Sequence, residues 1–345
     1  MSSKPVKKPR VLVTRKLPAD VEARLARDYD AILNKEDRLY GPDDLIAAAE
    51  GCDALLPAPT EKLTAEVVGR LPASIRVIAT FSVGFEHIDI AACKARGIVV
   101  GNTPDVLTDA TADIAILLML GAARRSYEGE AMLREGRWNS WAPTFMLGTD
   151  MTGKRLGIYG MGRIGQAVAK RARAFDMKIH YHNRSRLPAE REHGAIFHAR
   201  AEGMLPHCDF LSINAPASPE TTGFLNAARI ALLPDGAIVV NTARGPLVDL
   251  DALHDALRDR KIGGAALDVL PQEPPDPNQR LIRALQAGEE FLRGRLVITP
   301  HAAFYSPDAI VDIRRKTVAV VLHYFRDGRL TNCVNARYLR KERSQ

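Results

Sequence analysis

The stretch GIYGMGRIGQ, Gly157 to Gln166, places Gly160, Gly162 and Gly165 at the spacing G-x-G-x-x-G. An apolar run, Arg155 to Tyr159, precedes it. An amphipathic run with Ile164, Val168, Ala172 and Phe175 on one face follows. A phosphate-binding turn requires that context. Gly160 permits the tight turn, Gly162 lets the backbone approach a pyrophosphate, and Gly165 lets helix and strand pack closely. The helix start, at Arg163 and Ile164, presents free N–H groups to the phosphates. A glycine turn with no ligand is the plainer alternative, but the strand before and the helix after favour a bound dinucleotide.

The next apolar run ends in YHNRSR, Tyr181 to Arg186. Asn183 stands eighteen residues beyond Gly165, where an NAD site places Asp or Glu on the ribose 2′-hydroxyl. A neutral residue there removes repulsion against a 2′-phosphate. Arg184, followed by Ser185 and Arg186, offers a charge-assisted partner. The expected cofactor is NADPH/NADP, with NADH the weaker alternative; the other reading leaves both arginines merely solvated.

These residues need a scaffold of alternating strands and helices, and the chain supplies one. Short apolar runs, expected to be strands, cover Val11–Thr14, Ala54–Pro57, Arg76–Thr80 and Ile98–Val100. A second series covers Arg155–Tyr159, Lys178–His182, Asp209–Ile213, Ala237–Asn241, Gly264–Val269 and Arg295–Thr299. Near-continuous apolar strands separated by helices predict parallel sheets covered on both faces. Two such series predict two doubly wound α/β domains. Helices are expected over Asp109–Arg125 and, after a Ser-Pro-Asp entry, over Ser306–Phe325. The first is expected to bridge the domains and the second to complete the N-terminal one. The expected division is 1–105 and 300–345 for the discontinuous substrate domain and 106–299 for the inserted dinucleotide-binding domain.

Bulk properties narrow the class. The 345 residues are 46% hydrophobic and 26% charged, the balance of a globular protein. The net charge of +7 gives a pI near 9.3. That charge is dispersed, apart from dense basic runs at Lys4–Arg10 and Arg337–Arg343. No basic recognition helix or aromatic-basic sheet motif accompanies it, so no nucleic-acid partner is expected. A basic balance also suits anionic ligands. The four cysteines, Cys52, Cys93, Cys208 and Cys333, form no CxxC pair; no metal site is expected, and free thiols fit a reducing, cytoplasmic setting. No signal peptide is visible. The longest apolar run, Ile114–Ala123, is too short to span a bilayer, so no membrane partner is expected.

From about Val11 to about Asn335 the sequence resembles the D-isomer-specific 2-hydroxyacid dehydrogenases. The motifs are ATFSVGFEHID (79–89), NTPDVLTDATADIA (102–115), the glycine loop, VVNTARGPLVD (239–249), ALDVLPQEP (266–274) and TPHAAFYS (299–306). GRWNSWAPTFMLG (136–148) and YHNRSR look most like the glyoxylate and hydroxypyruvate reductases. The resemblance implies a Rossmann dinucleotide-binding domain inserted into a flavodoxin-like substrate domain.

It maps the family's catalytic residues onto Arg244, Glu273 and His301. Each follows an apolar run at its C-terminal end, where open α/β sheets bind ligands. The chemistry is reduction of a 2-keto carbon by hydride, with His301 as general acid, Glu273 orienting it, and Arg244 binding the substrate carboxylate and carbonyl. Asp268 resembles the residue that bonds the nicotinamide amide; a strand-end Asp capping the next loop fits as well. Ser82, Val83 and Gly84 resemble the loop whose N–H groups hold the substrate carboxylate. Leu56 either walls the pocket or belongs to the core. Trp141 resembles an aromatic inserted into the partner subunit's active site, which implies a homodimer.

Two segments depart from the reductases: AAFYS after His301, with its extended preceding segment 274–295, and TNCVN (331–335). These look more like the branch of D-lactate dehydrogenases and dehydrogenase-like corepressors. The expected function is NAD(P)H-dependent reduction of a small 2-ketoacid, glyoxylate or hydroxypyruvate. The alternatives are a dehydrogenase for a different ketoacid and a non-enzymatic NAD(P)H-sensing protein.

Overall fold

The structure, a computed structural model, describes residues 8–329 and 331–336. Lys4–Lys7 of the first basic run and the whole of Arg337–Arg343 lie outside the described residues. The chain divides into two compact units, one formed by residues up to 107 with those from 306 onward, the other by 108–305.

The smaller unit holds a five-stranded parallel sheet of β1 (Arg10–Val13), β2 (Asp30–Ile32), β3 (Ala54–Leu56), β4 (Val77–Ala79) and β5 (Val99–Gly101). Their order is β2-β1-β3-β4-β5, the flavodoxin-like arrangement. Alternation along each strand feeds two cores. Leu12, Leu55, Ile78 and Val100 enter one; Val11, Val13, Leu56, Val77 and Val99 enter the other. The helix Pro307–Asp327 adds Val318, Val320 and Val321 to the second core. It starts where Ser306 Oγ accepts from Ala309 N–H at 3.1 Å and ends at Gly328, whose φ of +62° suits glycine. Beyond it, the buried Asn335 accepts from Val100 N–H (3.1 Å) and donates to Ile98 O (2.8 Å).

The larger unit holds seven parallel strands: β6 (Arg155–Tyr159), β7 (Lys178–His182), β8 (Ile196–His198), β9 (Phe210–Ile213), β10 (Ala237–Asn241), β11 (Ile262–Leu267) and β12 (Leu296–Ile298). Their order is β12-β11-β10-β9-β6-β7-β8. The order reverses between β6 and β9, the switch point where Rossmann sheets bind dinucleotides. The helix Thr108–Ala123 is grouped with this unit and buries Ala112, Ala115, Leu118, Met119 and Ala122 in its core.

Two strands lacked a sequence signal. β2 and β8 are three-residue edge strands with half-exposed patterns, so neither shows a continuous apolar run. The second division falls after Tyr305 rather than at 299, because His301, Ala302 and Ala303 are tied by their N–H groups to Asp268 at the end of β11.

Asn335→Leu keeps the volume but strands the Val100 N–H and Ile98 C=O in a buried site. Urea unfolding should show a loss of about 2–3 kcal/mol; a change within ~0.5 kcal/mol would mean that this segment does not anchor β5.

Candidate active site

The glycine loop leaves β6 in a turn that only small residues fit. Gly160 sits at φ +96°, and a Cβ there would lie 2.6 Å from Ala215 N. A Cβ on Gly165 would strike Gly160 O and press on Ile158 Cγ2 at 3.1 Å, so the helix Arg163–Arg173 packs directly on the strand. Gly162 differs: a Cβ there meets nothing within 4 Å, and no side chain caps the helix it begins. That cradle fits a pyrophosphate. Two buried atoms at the ends of neighbouring strands, Asn214 Oδ1 and Thr242 Oγ1, have no hydrogen-bond partner among the described residues. They fit donors and acceptors of a bound dinucleotide. Sequence reasoning passed over both, since an orphaned polar atom shows only in three dimensions.

At the end of β7, Asn183 turns inward. Its Oδ1 accepts from Met161 N–H at 2.6 Å and so braces the glycine loop. Arg184 and Ser185 are exposed, and Arg184 makes no ion pair among the described residues. Arg186 is not available for a phosphate. It forms a bidentate pair with Glu192 (2.9 and 3.0 Å), which also accepts from Tyr181 Oη at 2.6 Å. Of the two arginines, Arg184 is the one left outside an ion pair among the described residues.

Arg244, Glu273 and His301 come together on adjoining loops. After β10, the buried Asn241 accepts from Ala243 N–H (3.0 Å) and donates to Arg244 O (2.9 Å), which shapes the loop. A Cβ on Gly245 would collide with the Leu270–Pro271 backbone, so the loops of Arg244 and Glu273 touch backbone to backbone. Leu270 N–H donates to Glu273 Oε1 at 2.9 Å, and Glu273 Oε2 lies 2.6 Å from His301 Nδ1. Burial works to raise the Glu273 pKa. The hydrogen bonds from His301 and Leu270, with the charges of His301 and Arg244, outweigh it and hold the carboxyl below its ordinary range. An ionised acceptor at Nδ1 requires a hydrogen there, which leaves Nε2 as the nitrogen for proton exchange.

His301 has φ +51°, a strained backbone for a non-glycine residue. Its N–H donates to Asp268 O (2.8 Å) and Thr299 O (2.9 Å). The Asp268 carboxylate, 1% exposed, accepts from Thr299 Oγ1 (2.6 Å), Ala302 N–H (2.8 Å) and Ala303 N–H (3.0 Å). The loop-capping reading of Asp268 is thus what the geometry displays. Phe304 packs edge-on to the His301 ring, with centroids 6.0 Å apart.

In the smaller unit, Leu56 is fully buried and belongs to the core rather than to a pocket wall. Ser82, Val83 and Gly84 form a half-buried loop after β4. All three carbonyls are occupied, by Thr103 N–H (3.1 Å), Asn102 Nδ2 (2.7 Å) and Ser82 Oγ (2.5 Å) respectively. Their three N–H groups make no hydrogen bond among the described residues, an arrangement suited to a carboxylate. Trp141 is 74% exposed, and Trp138, Leu133 and Leu147 are exposed near it in sequence. Leu117 is exposed on the helix Thr108–Ala123, whereas Leu118 and Met119 are core and offer nothing to a partner. No cluster of His, Cys, Asp or Glu among the described residues is placed to hold a metal ion, and no described helix is long and apolar enough to cross a membrane.

Residues 116–303 match the family described as D-isomer specific 2-hydroxyacid dehydrogenase, NAD binding domain. A glycerate dehydrogenase of Hyphomicrobium methylovorum is 47% identical over 269 residues, 77% of this chain and 84% of that protein. A glyoxylate reductase of Korarchaeum cryptofilum is 38% identical over 297 residues, 86% of each. The structure of an NADPH-dependent glyoxylate/hydroxypyruvate reductase from Sinorhizobium meliloti, in complex with NADP and malonate, superposes with a TM-score of 0.81 at 30% identity, covering 95% of this chain and 97% of that one. The matched domain contains the glycine loop, Arg244, Glu273 and His301. With that domain, and with likeness of this extent across both units, the chain belongs to the D-isomer specific 2-hydroxyacid dehydrogenase family.

Proposed function

We propose that this protein reduces small 2-ketoacids, glyoxylate and hydroxypyruvate, with NADPH preferred over NADH. The observation that carries the reading is the 2.6 Å contact of His301 Nδ1 with Glu273 on a loop pressed against that of Arg244. All three follow the C-terminal ends of strands in the sheet that bears the glycine loop. The names of the similar reductases, and of the glycerate dehydrogenase whose ketoacid would be hydroxypyruvate, support the substrate class.

A nicotinamide cofactor held at the glycine loop would supply hydride chemistry at the keto carbon. His301 Nε2 gives its proton to the carbonyl oxygen as charge develops there, and Glu273 holds the ring in place. Arg244 offers its fork to the substrate carboxylate and the polarised oxygen. In the smaller unit, the N–H groups of Ser82, Val83 and Gly84 suit a carboxylate. Gly160, Gly162, Arg163, Ile164 and Gly165 would hold the pyrophosphate, and Asn183, Arg184 and Ser185 the 2′-end. The smaller unit serves the substrate and the larger one the cofactor.

The chain works as a homodimer in which Trp141 closes the partner subunit's site. Its support is the exposure of both tryptophans with Leu117, Leu133 and Leu147, a large apolar area for a monomer to leave wet. The cytoplasm is the proposed location, supported by four free cysteines, three of them buried.

Purified protein should oxidise NADPH with glyoxylate or hydroxypyruvate, faster than with pyruvate. His301→Gln should lower the rate in both directions roughly a hundredfold or more, with NADPH affinity nearly intact. No turnover of any ketoacid would refute the enzyme, and a near-normal His301→Gln rate would place the acid elsewhere. Arg184→Ala should weaken NADPH by about 1.5–3 kcal/mol, or roughly ten- to a hundredfold, and leave NADH almost unchanged; equal weakening of both cofactors would remove Arg184 from the 2′-phosphate. Light scattering at micromolar concentration should give twice the chain mass of 37.8 kDa. A monomer would rule out the trans role of Trp141.

A further inference from the structure

Three polar side chains of the smaller unit, His87, Thr80 and Ser82, form a chain that ends in the loop 82–84. Thr80, just past β4, is fully buried, and His87 is 8% exposed. Thr80 Oγ1 lies 3.0 Å from His87 Nε2 and 2.8 Å from Ser82 Oγ, and Ser82 Oγ donates to Gly84 O. The far end is anchored as well: the carbonyl of His87 accepts from Leu63 N–H at 2.8 Å.

Counting hydrogens fixes the direction of the chain. A hydroxyl has one hydrogen to give, and a carbonyl can only accept. The hydrogen of Ser82 goes to Gly84 O, so Ser82 Oγ receives the hydrogen of Thr80. Thr80 then has none for His87, and the hydrogen in that contact belongs to Nε2. The order is His87 to Thr80, Thr80 to Ser82, and Ser82 to Gly84. Hydrogen bonds aligned in series polarise one another in one sense. The positive end of this series lies at the loop, whose three N–H groups make no hydrogen bond among the described residues.

The strand has no need of these hydroxyls. Thr80 N–H already donates to Gly101 O at 3.0 Å, and an apolar side chain at this fully buried place would avoid the cost of desolvating a polar group. What the chain supplies is a fixed loop. Engaged on both sides, the Ser82 hydroxyl is held to Gly84 O and closes the turn over two residues.

We propose that His87 and Thr80 are positioning residues for the substrate carboxylate: through the Ser82 hydroxyl they hold the loop 82–84 in the form whose N–H groups receive it. The proposal rests on the reductase reading above. Steady-state reduction of glyoxylate by the full chain at saturating NADPH tests it. Thr80→Val and Ser82→Ala should each raise KM for glyoxylate roughly five- to tenfold, as expected for about one neutral hydrogen bond. The kcat should stay within about twofold, the mark of lost binding rather than lost chemistry, and NADPH affinity should not change. His87→Leu should behave the same way. His87→Gln, whose amide keeps a donor near the place of Nε2, should restore most of the wild-type KM. Circular dichroism confines the comparison to folded variants, and Ser82→Ala, at a half-buried position, keeps the test open if a change at Thr80 or His87 unfolds the chain. If the wild-type chain reduces no ketoacid, the reductase reading and the positioning role fall together. Wild-type activity with an unchanged KM in Ser82→Ala, or His87→Gln as impaired as a folded His87→Leu, overturns the positioning role alone. A loss shared equally by kcat and NADPH affinity overturns it too, as general damage to the fold.

Discussion

One buried carboxylate carries the geometry of the proposed catalytic set. Asp268 accepts three hydrogen bonds from the loop 299–303, and its own backbone bonds Asn241 at the end of β10 and His301 beyond β12. Adjacent parallel strands end in separate turns, and nothing in a sheet ladder aligns those turns with one another. Asp268 does so for three of them. It also holds His301 at a positive φ, a conformation that costs on the order of 1 kcal/mol and persists only where surrounding contacts over-determine it. The position of the imidazole therefore depends on a residue that need not touch substrate.

The same logic of close backbone approach recurs along the C-terminal edge of the sheet. Gly160 faces Ala215, Gly165 faces Gly160, and Gly245 faces Leu270, each where a side chain would force loops apart. In the proposed reaction these contacts fix the distance between the cofactor's cradle and the proton donor. The smaller unit contributes a different device. Its loop at 82–84 has every carbonyl occupied and three N–H groups left to offer, so it presents a local positive potential without a charged side chain.

The aromatic pair after His301 shows how far a departure in motif reaches. Phe304 stacks on Tyr305 at 4.2 Å and presents its edge to His301, while Tyr305 remains 66% exposed. The contact between His301 and Glu273 stands unaltered beside this bulk. The substitution thus bears on what lies around the donor and leaves the donor's own support in place. The similar proteins named glyoxylate reductase and glycerate dehydrogenase accord with the reductase resemblance.

The sequence by itself determined the class of fold and pointed to Arg244, Glu273 and His301 as the proposed catalytic set. Both rest on local signals: continuous apolar runs for buried parallel strands, glycine spacing for a turn, and ordered motifs at strand ends. Strands such as Arg155–Tyr159 and Ala237–Asn241 were legible to the residue because burial on both faces leaves no polar interruption between their end residues. The edge strands β2 and β8 were not, since a strand with one neighbour needs little apolar content. Tertiary structure alone decided which partner each polar group takes. Arg186 went to Glu192, Asn183 to Met161, Asp268 to the loop of His301, and Leu56, Leu118 and Met119 to the cores. A side chain's hydrogen-bonding capacity is written in its type, but its partner lies far along the chain and is chosen by the packing of whole elements.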